Sequence, residues 1–264
     1  MTKDISFITK TKALIDNLKS VCANYGLGND GNEFKIITQV FLYKFLNDKF
    51  RYAVKQEMPA LDKAENFSKA LLDLPEDDYQ FLLAALDPNI PRLQPEHLIS
   101  HLFSKQNDGD FAKLFDDTLR QISIQNADVF SVKSFTGAKD ILFDELSQFI
   151  SDSSQRDAFC KALINKLFEF SFEEMFKQKY DFFATIFEYL IKDYNTDSGG
   201  KYAEYYTPPC CCQNYGANHG AGTGERSKVL RSKCGIGNFV DESCAPNWGR
   251  KLHHLFRRYF SEIE

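Results

Sequence analysis

Between residue 1 and about residue 195, apolar side chains recur at spacings of three and four, and strand-like alternation is hard to find. That period gathers them on one face of an α-helix, and such a face is stable only when it is buried against another. Phe34, Ile37, Phe41 and Phe45 form one stripe, with Lys44, Asn47, Asp48 and Arg51 among the polar positions between. A second follows the polar turn NDGD and runs through Phe111, Leu114, Phe115, Thr118, Leu119 and Ile122. A third is Phe159, Leu163 and Leu167, with Ser153 and Ser154 ahead of it as candidate caps, and a fourth is Phe182, Phe183, Ile186, Phe187 and Leu190. Breaks fall where helices would end, at Asn24 to Gly31, Pro59, Pro75, Pro88 to Pro95 and Gly137. The pattern predicts an all-α domain of roughly seven to nine helices over residues 1–195, with the phenylalanines as its core.

Composition narrows the class of chain. A content of 43% hydrophobic and 26% charged residues is ordinary for a globular protein. No run approaches the roughly 18 consecutive apolar residues of a membrane-spanning helix, and the start MTKDISFITKTK lacks the apolar core of a secretory signal. A cytoplasmic chain with no membrane partner is expected, its seven cysteines reduced thiols. A net charge of −5 argues against a coat of basic residues for indiscriminate nucleic-acid binding, but leaves room for contact with DNA by one face.

The texture changes twice near the C-terminus. After Asp197 comes SGGKYAEYYTP, a loop over residues 196–208, and from Pro209 to Glu264 no helical or strand period persists. This tail holds five of the seven cysteines and half of the fourteen glycines; its eight Lys and Arg against five Asp and Glu make it +3, leaving −8 for the rest. Cys210, Cys211, Cys212, Cys234 and Cys244 with His219, His253 and His254 suggest zinc, but three adjacent cysteines lack the gap that lets a pair chelate one ion. Gly220, Gly222 and Gly224 follow no apolar strand and precede no Gly-Lys-Ser/Thr, so they do not make a phosphate loop. Arg257 and Arg258 read as part of a solvated, disordered end rather than a nucleic-acid contact.

Elsewhere, His97 and His101 stand four apart beside Glu96 in an order unlike His-Glu-x-x-His, and are read as structural or surface histidines. The runs Glu76-Asp77-Asp78 and Asp116-Asp117 fit helix starts and solvated faces, and Cys22 and Cys160 fit core positions.

Two stretches carry a family resemblance. FKIITQVFLYKFLNDKFRY, residues 34–52, is similar to the long early helix of the modification subunit of type I restriction-modification systems, and FFATIFEYLIKDYNTDSGGKYAEYYTP, residues 182–208, resembles its junction into the methyltransferase domain. The order in the second stretch has a physical logic: a Gly-Gly pair turns freely, Tyr205 and Tyr206 offer flat faces, and Thr207-Pro208 can cap and start a helix. The resemblance implies that Glu204, Tyr205, Tyr206, Thr207 and Pro208 line the S-adenosylmethionine site. It further implies methyl transfer to adenine N6 in DNA, with the helical domain binding DNA and the specificity and restriction subunits.

The chain lacks two parts of that machinery, a glycine-rich turn after a strand and an Asn/Asp-Pro-Pro-aromatic motif for the flipped adenine. Its one Pro-Pro pair, Pro208-Pro209, follows Thr207. No catalytic residue is therefore assigned, and the isolated chain is expected to bind no cofactor. One base gained within the codons of Pro208 and Pro209 would account for the tail. Joining the last two bases of each codon to the first of the next lets Pro209 to Gly216 be re-read as HAVAKIMA, and Arg231 to Asn238 as DLSAGSGT. The first is a helix after Thr-Pro and the second a glycine turn, both as the resemblance implies. The reading is thus a methylase-subunit fragment with an out-of-frame tail over 209–264. The alternatives are a non-enzymatic binding module for the specificity subunit or DNA, and an inert pseudogene product.

Overall fold

The computed structural model describes residues 2–28, 31–64, 66–127 and 142–176, with side chains from residue 9 onward. All of these lie in the first of the two units into which the chain divides, Met1–Tyr180. Among the described residues the fold is all-α, as the periodicity predicts. The nine helices are α1 (Thr2–Asn24), α2 (Gly31–Glu57), α3 (Pro59–Asp62), α4 (Phe67–Leu72), α5 (Glu76–Ala85), α6 (Ile99–Ser104), α7 (Phe111–Gln125), α8 (Arg156–Phe168) and α9 (Glu173–Phe176). Three 3-10 turns join them, at Pro95–His97, Leu146–Phe149 and Ser153–Gln155. No described helix is long and apolar enough to cross a membrane. The fourth apolar stripe, Gly137 and everything from Asp197 onward fall outside the described residues.

Two helices organise the bundle. α8 packs on α1, α6 and α7, and its Phe159, Cys160, Leu163, Ile164 and Leu167 are fully enclosed. α2 touches α1, α3, α5 and α9, and it is buried on every side rather than along one stripe. Ile36, Val40, Leu42, Tyr43, Leu46, Phe50 and Val54 are buried together with the predicted Phe34, Ile37, Phe41 and Phe45. A helix covered on all its faces belongs at the centre of a bundle, although Glu33, Thr38, Lys44, Asn47 and Asp48 are among the side chains it buries. Ring contacts tie it outward, Tyr43 edge-on to Phe115 of α7 and Phe41 edge-on to Phe172 before α9.

The helix ends follow local chemistry. α1 stops at Gly26, whose φ of +81° is one that side chains with a Cβ seldom adopt. There Leu27 N–H donates to Cys22 O at 3.0 Å and Gly26 N–H to Ala23 O at 3.1 Å, the paired bonds of a Schellman stop. Pro59 opens α3, and Glu76, Asp77 and Asp78 form the first turn of α5, where their charge favours the exposed N–H groups.

One cap assignment changes, and one cap comes from a distant residue. Ser153 and Ser154 do not cap α8. Asp152 Oδ1 accepts from Ser154 N–H at 3.0 Å, shaping the 3-10 turn that feeds the helix. At the start of α7, Asp110 sits at φ 57° and offers no side-chain bond. Asp157 of α8 supplies it instead, its Oδ1 accepting from Ala112 N–H at 2.8 Å, so one helix caps another.

Candidate functional site

The positions to which the resemblance assigns the cofactor, Glu204, Tyr205, Tyr206, Thr207 and Pro208, lie outside the described residues, as do the cysteines and histidines of the tail. Among the described residues the polar chemistry concentrates on the C-terminal half of α2. Lys44, Asp48, Arg51 and Lys55 follow one another at spacings of four, three and four, which aligns them along one face of the helix. Periodicity suggested polar positions lying between apolar ones. The structure adds what that pattern does not state, that Lys44, Asn47 and Asp48 are interior, at 2%, 1% and 1% exposed.

These three groups survive burial because each is paired. Lys44 Nζ meets Asp48 Oδ1 at 2.9 Å. Asn47 Nδ2 donates to the same oxygen at 2.7 Å, and Phe172 N–H donates to Asp48 Oδ2 at 2.7 Å. Asn47 Oδ1 accepts from Ile99 N–H at 3.0 Å, at the start of α6. Burial pushes the Lys44 ammonium below its ordinary range, and the facing Asp48 carboxylate opposes that shift. The cluster ties α2 to α6 and to the segment leading into α9. Each buried nitrogen and oxygen of the three side chains has a partner, which makes the cluster a structural pin rather than a reactive centre.

One turn further along, the ion pairs become more open to solvent. Lys55 Nζ lies 3.0 and 3.1 Å from the two Glu173 oxygens and 3.2 Å from Asp62. Arg51 Nη2 is 3.8 Å from Glu173 Oε1. Both cations stand over the Phe67 ring, at 5.1 Å for Arg51 and 5.9 Å for Lys55. The Arg51 Nε–H is buried and has no acceptor among the described residues.

The remaining sequence candidates resolve into fold. His97 closes a 3-10 turn while His101 belongs to α6, so they do not share a helix. His97 Nδ1 accepts from Gln94 N–H at 3.3 Å, and its carbonyl accepts from Tyr43 Oη at 2.6 Å. No group of three or more His, Cys, Asp and Glu among the described residues is placed to hold a metal ion. Cys22 and Cys160 are buried thiols, as predicted. Burial, with Glu33 nearby, pushes Cys22 up to about 12, and burial raises Cys160 well above its usual value, so neither is a ready nucleophile. Asp116 is not on a solvated face. It sits within α7 and accepts from Ser147 N–H at 3.2 Å and Ser147 Oγ at 2.5 Å. Burial raises its carboxyl above the usual range while those two bonds hold it down.

His97 makes the fold sensitive to acid. Burial holds its imidazole below the ordinary value of 6.5, against the opposing pull of Glu96 and a bond with Gln125. Above 6.5 the ring is neutral both folded and unfolded, and contributes no pH dependence. As pH falls below that, the unfolded chain takes the proton more readily, so stability declines until the folded ring titrates as well. The Nδ1 lone pair is already engaged, so a proton there would set one N–H against another. The urea midpoint should therefore drop between pH 7.5 and pH 5.5 by more in the wild type than in His97→Gln. His101, shifted in the same direction by its burial, remains in both proteins. Equal drops would remove His97 from this account.

Sequence reading did not single out Glu173 or Asn126. Glu173 reaches Lys55 across 118 positions, and Asn126, fully buried, grips Arg92 from 34 positions away; local periodicity carries no signal for such pairs. Compared with protein-family models, with curated proteins and with solved structures, the chain finds no match.

Proposed function

We propose that residues 1–208 are the N-terminal helical domain and cofactor-site junction of the modification subunit of a type I restriction-modification system, followed by an out-of-frame tail. The observation that supports this reading is the helix that carries the first stretch of resemblance. Residues 34–52 fall within one uninterrupted 27-residue helix, α2, buried at the centre of the described bundle. The second support is the segment KYAEYYTP, with its aromatic pair ahead of Thr207-Pro208. In this reading the helical domain contacts DNA and the specificity and restriction subunits. Glu204 to Pro208 belong to an S-adenosylmethionine site that only the intact subunit completes.

The isolated chain should transfer no methyl group, since it lacks both the glycine turn and the Asn/Asp-Pro-Pro-aromatic motif. With radiolabelled S-adenosylmethionine and duplex DNA, the purified protein is expected to incorporate label at the level of a no-protein blank; incorporation above it would overturn the reading. Resequencing the gene across the codons for Thr207 to Cys212, and on past the stop, tests the tail. A gained base and a continuing frame with Asn-Pro-Pro-aromatic fit the proposal, and an intact frame with nothing of the kind does not. Capture by a specificity subunit separates a binding module from an inert product.

A further inference from the structure

We propose that Arg51 and Lys55 form a phosphate-binding pair on α2, which the Glu173 carboxylate occupies within the same chain. The pair has the parts such a site needs. Two cations stand one helical turn apart over a common ring, at 5.1 and 5.9 Å from Phe67. Their side chains are 26% and 16% exposed, open enough for a ligand to reach and covered enough for charge to count.

Glu173 uses this site incompletely. Its two oxygens both engage Lys55, at 3.0 and 3.1 Å. Its approach to Arg51 is 3.8 Å, beyond hydrogen-bond range. The Arg51 Nε–H, buried and without an acceptor among the described residues, is a polar group that requires explanation. A guanidinium is a planar fork suited to two parallel bonds, and one carboxylate already held by a lysine cannot fill it. A phosphate group carries more negative charge and more acceptor oxygens, so it can meet Lys55 and the Arg51 fork together. Glu173 is the group that a phosphate would displace. It sits on the four-residue α9, 26% exposed, and Lys55 keeps Asp62 at 3.2 Å when the glutamate leaves.

The chemistry recognised is a phosphate, whether free or in a nucleic-acid backbone. Only the second source rests on the reading of this chain as a DNA-contacting domain. The full chain is titrated with inorganic phosphate, followed by the 15N-coupled Arg51 Nε–H signal, and with a fluorescein-labelled DNA duplex, followed by anisotropy. In the wild type the Nε–H signal should move on adding phosphate. Glu173→Gln removes the resident charge and should tighten binding about fivefold, the upper range for a partly exposed ion pair. Arg51→Gln should lose that gain and lower the salt slope for duplex by about one, and Arg51→Lys should fall between.

If phosphate and duplex both tighten, the pair reads a nucleic-acid backbone. If phosphate alone tightens, the pair stands and the DNA-contact reading of this face fails. An unmoved Nε–H signal in the wild type overturns the pair without any variant having to fold. So does an unchanged affinity for both probes in a Glu173→Gln protein whose helical circular dichroism is intact.

Discussion

Replacing Asp48 with Ala should cost about 3–5 kcal/mol, the usual price of breaking a buried ion pair from one side. The carboxylate is 1% exposed and has three partners: Lys44 Nζ at 2.9 Å, Asn47 Nδ2 at 2.7 Å and Phe172 N–H at 2.7 Å. Truncation leaves a 2%-exposed ammonium without its counter-charge and a backbone N–H without an acceptor. Against a total of about 5–15 kcal/mol for a typical domain, a loss of this size is a large fraction of stability. Removing both charges is the informative control. Lys44→Met with Asp48→Leu should recover about half of the loss, because a buried pair is often no more stabilising than apolar groups of similar volume. A residual of about 1–3 kcal/mol should remain, since Phe172 N–H and Asn47 Nδ2 still lack their acceptor. Urea titration of the helical circular dichroism measures both. A single-variant shift under about 1 kcal/mol would mean that water or a neighbouring group reaches the site, and the pin would have to be abandoned.

The second large effect concerns the irregular stretch between α5 and α6. Fully buried Asn126 treats Arg92 as a strand treats its neighbour: Oδ1 accepts from Arg92 N–H at 2.7 Å, and Nδ2 donates to Arg92 O at 2.7 Å. Nδ2 also donates to Ile122 O at 2.8 Å, within its own helix. The same stretch is held by Tyr79 Oη on Leu93 O and Tyr43 Oη on His97 O. Asn126→Ala should cost about 2–4 kcal/mol, from two backbone groups left unpaired. Asn126→Asp keeps the acceptor for Arg92 N–H but faces a carboxylate with two carbonyls. Its folded pKa should therefore lie above the ordinary carboxylate range, and its deficit should shrink as pH falls from 7 toward about 4 and the group gains a proton to donate. An Asp variant as stable as the wild type at pH 7 would show that Asn126 does not hold the stretch.

Much of the helical architecture is written locally. The spacing of Phe111, Phe115, Leu119 and Ile122 marks the inward face of α7, and all four are fully enclosed. Gly26, Pro59, Pro75 and the acidic run after it mark helix ends at the places the structure has them. These features depend on backbone conformation and on residues within one or two turns, so they can be read one residue type at a time. Glu204 to Pro208 rest on resemblance alone.

What the periodicity of α2 could not determine is what covers its other faces. Lys44, Asn47 and Asp48 have the composition of a solvated face, yet they are interior, because α6 and the Phe172 segment bring backbone N–H groups to them. Phe172 lies 124 positions from Asp48, and Glu173 lies 118 from Lys55. A helical period states which side chains share a face; whether that face meets water or distant chain is decided by tertiary contacts. Burial without a partner would be prohibitive for each of these groups, and only the folded chain supplies the partners.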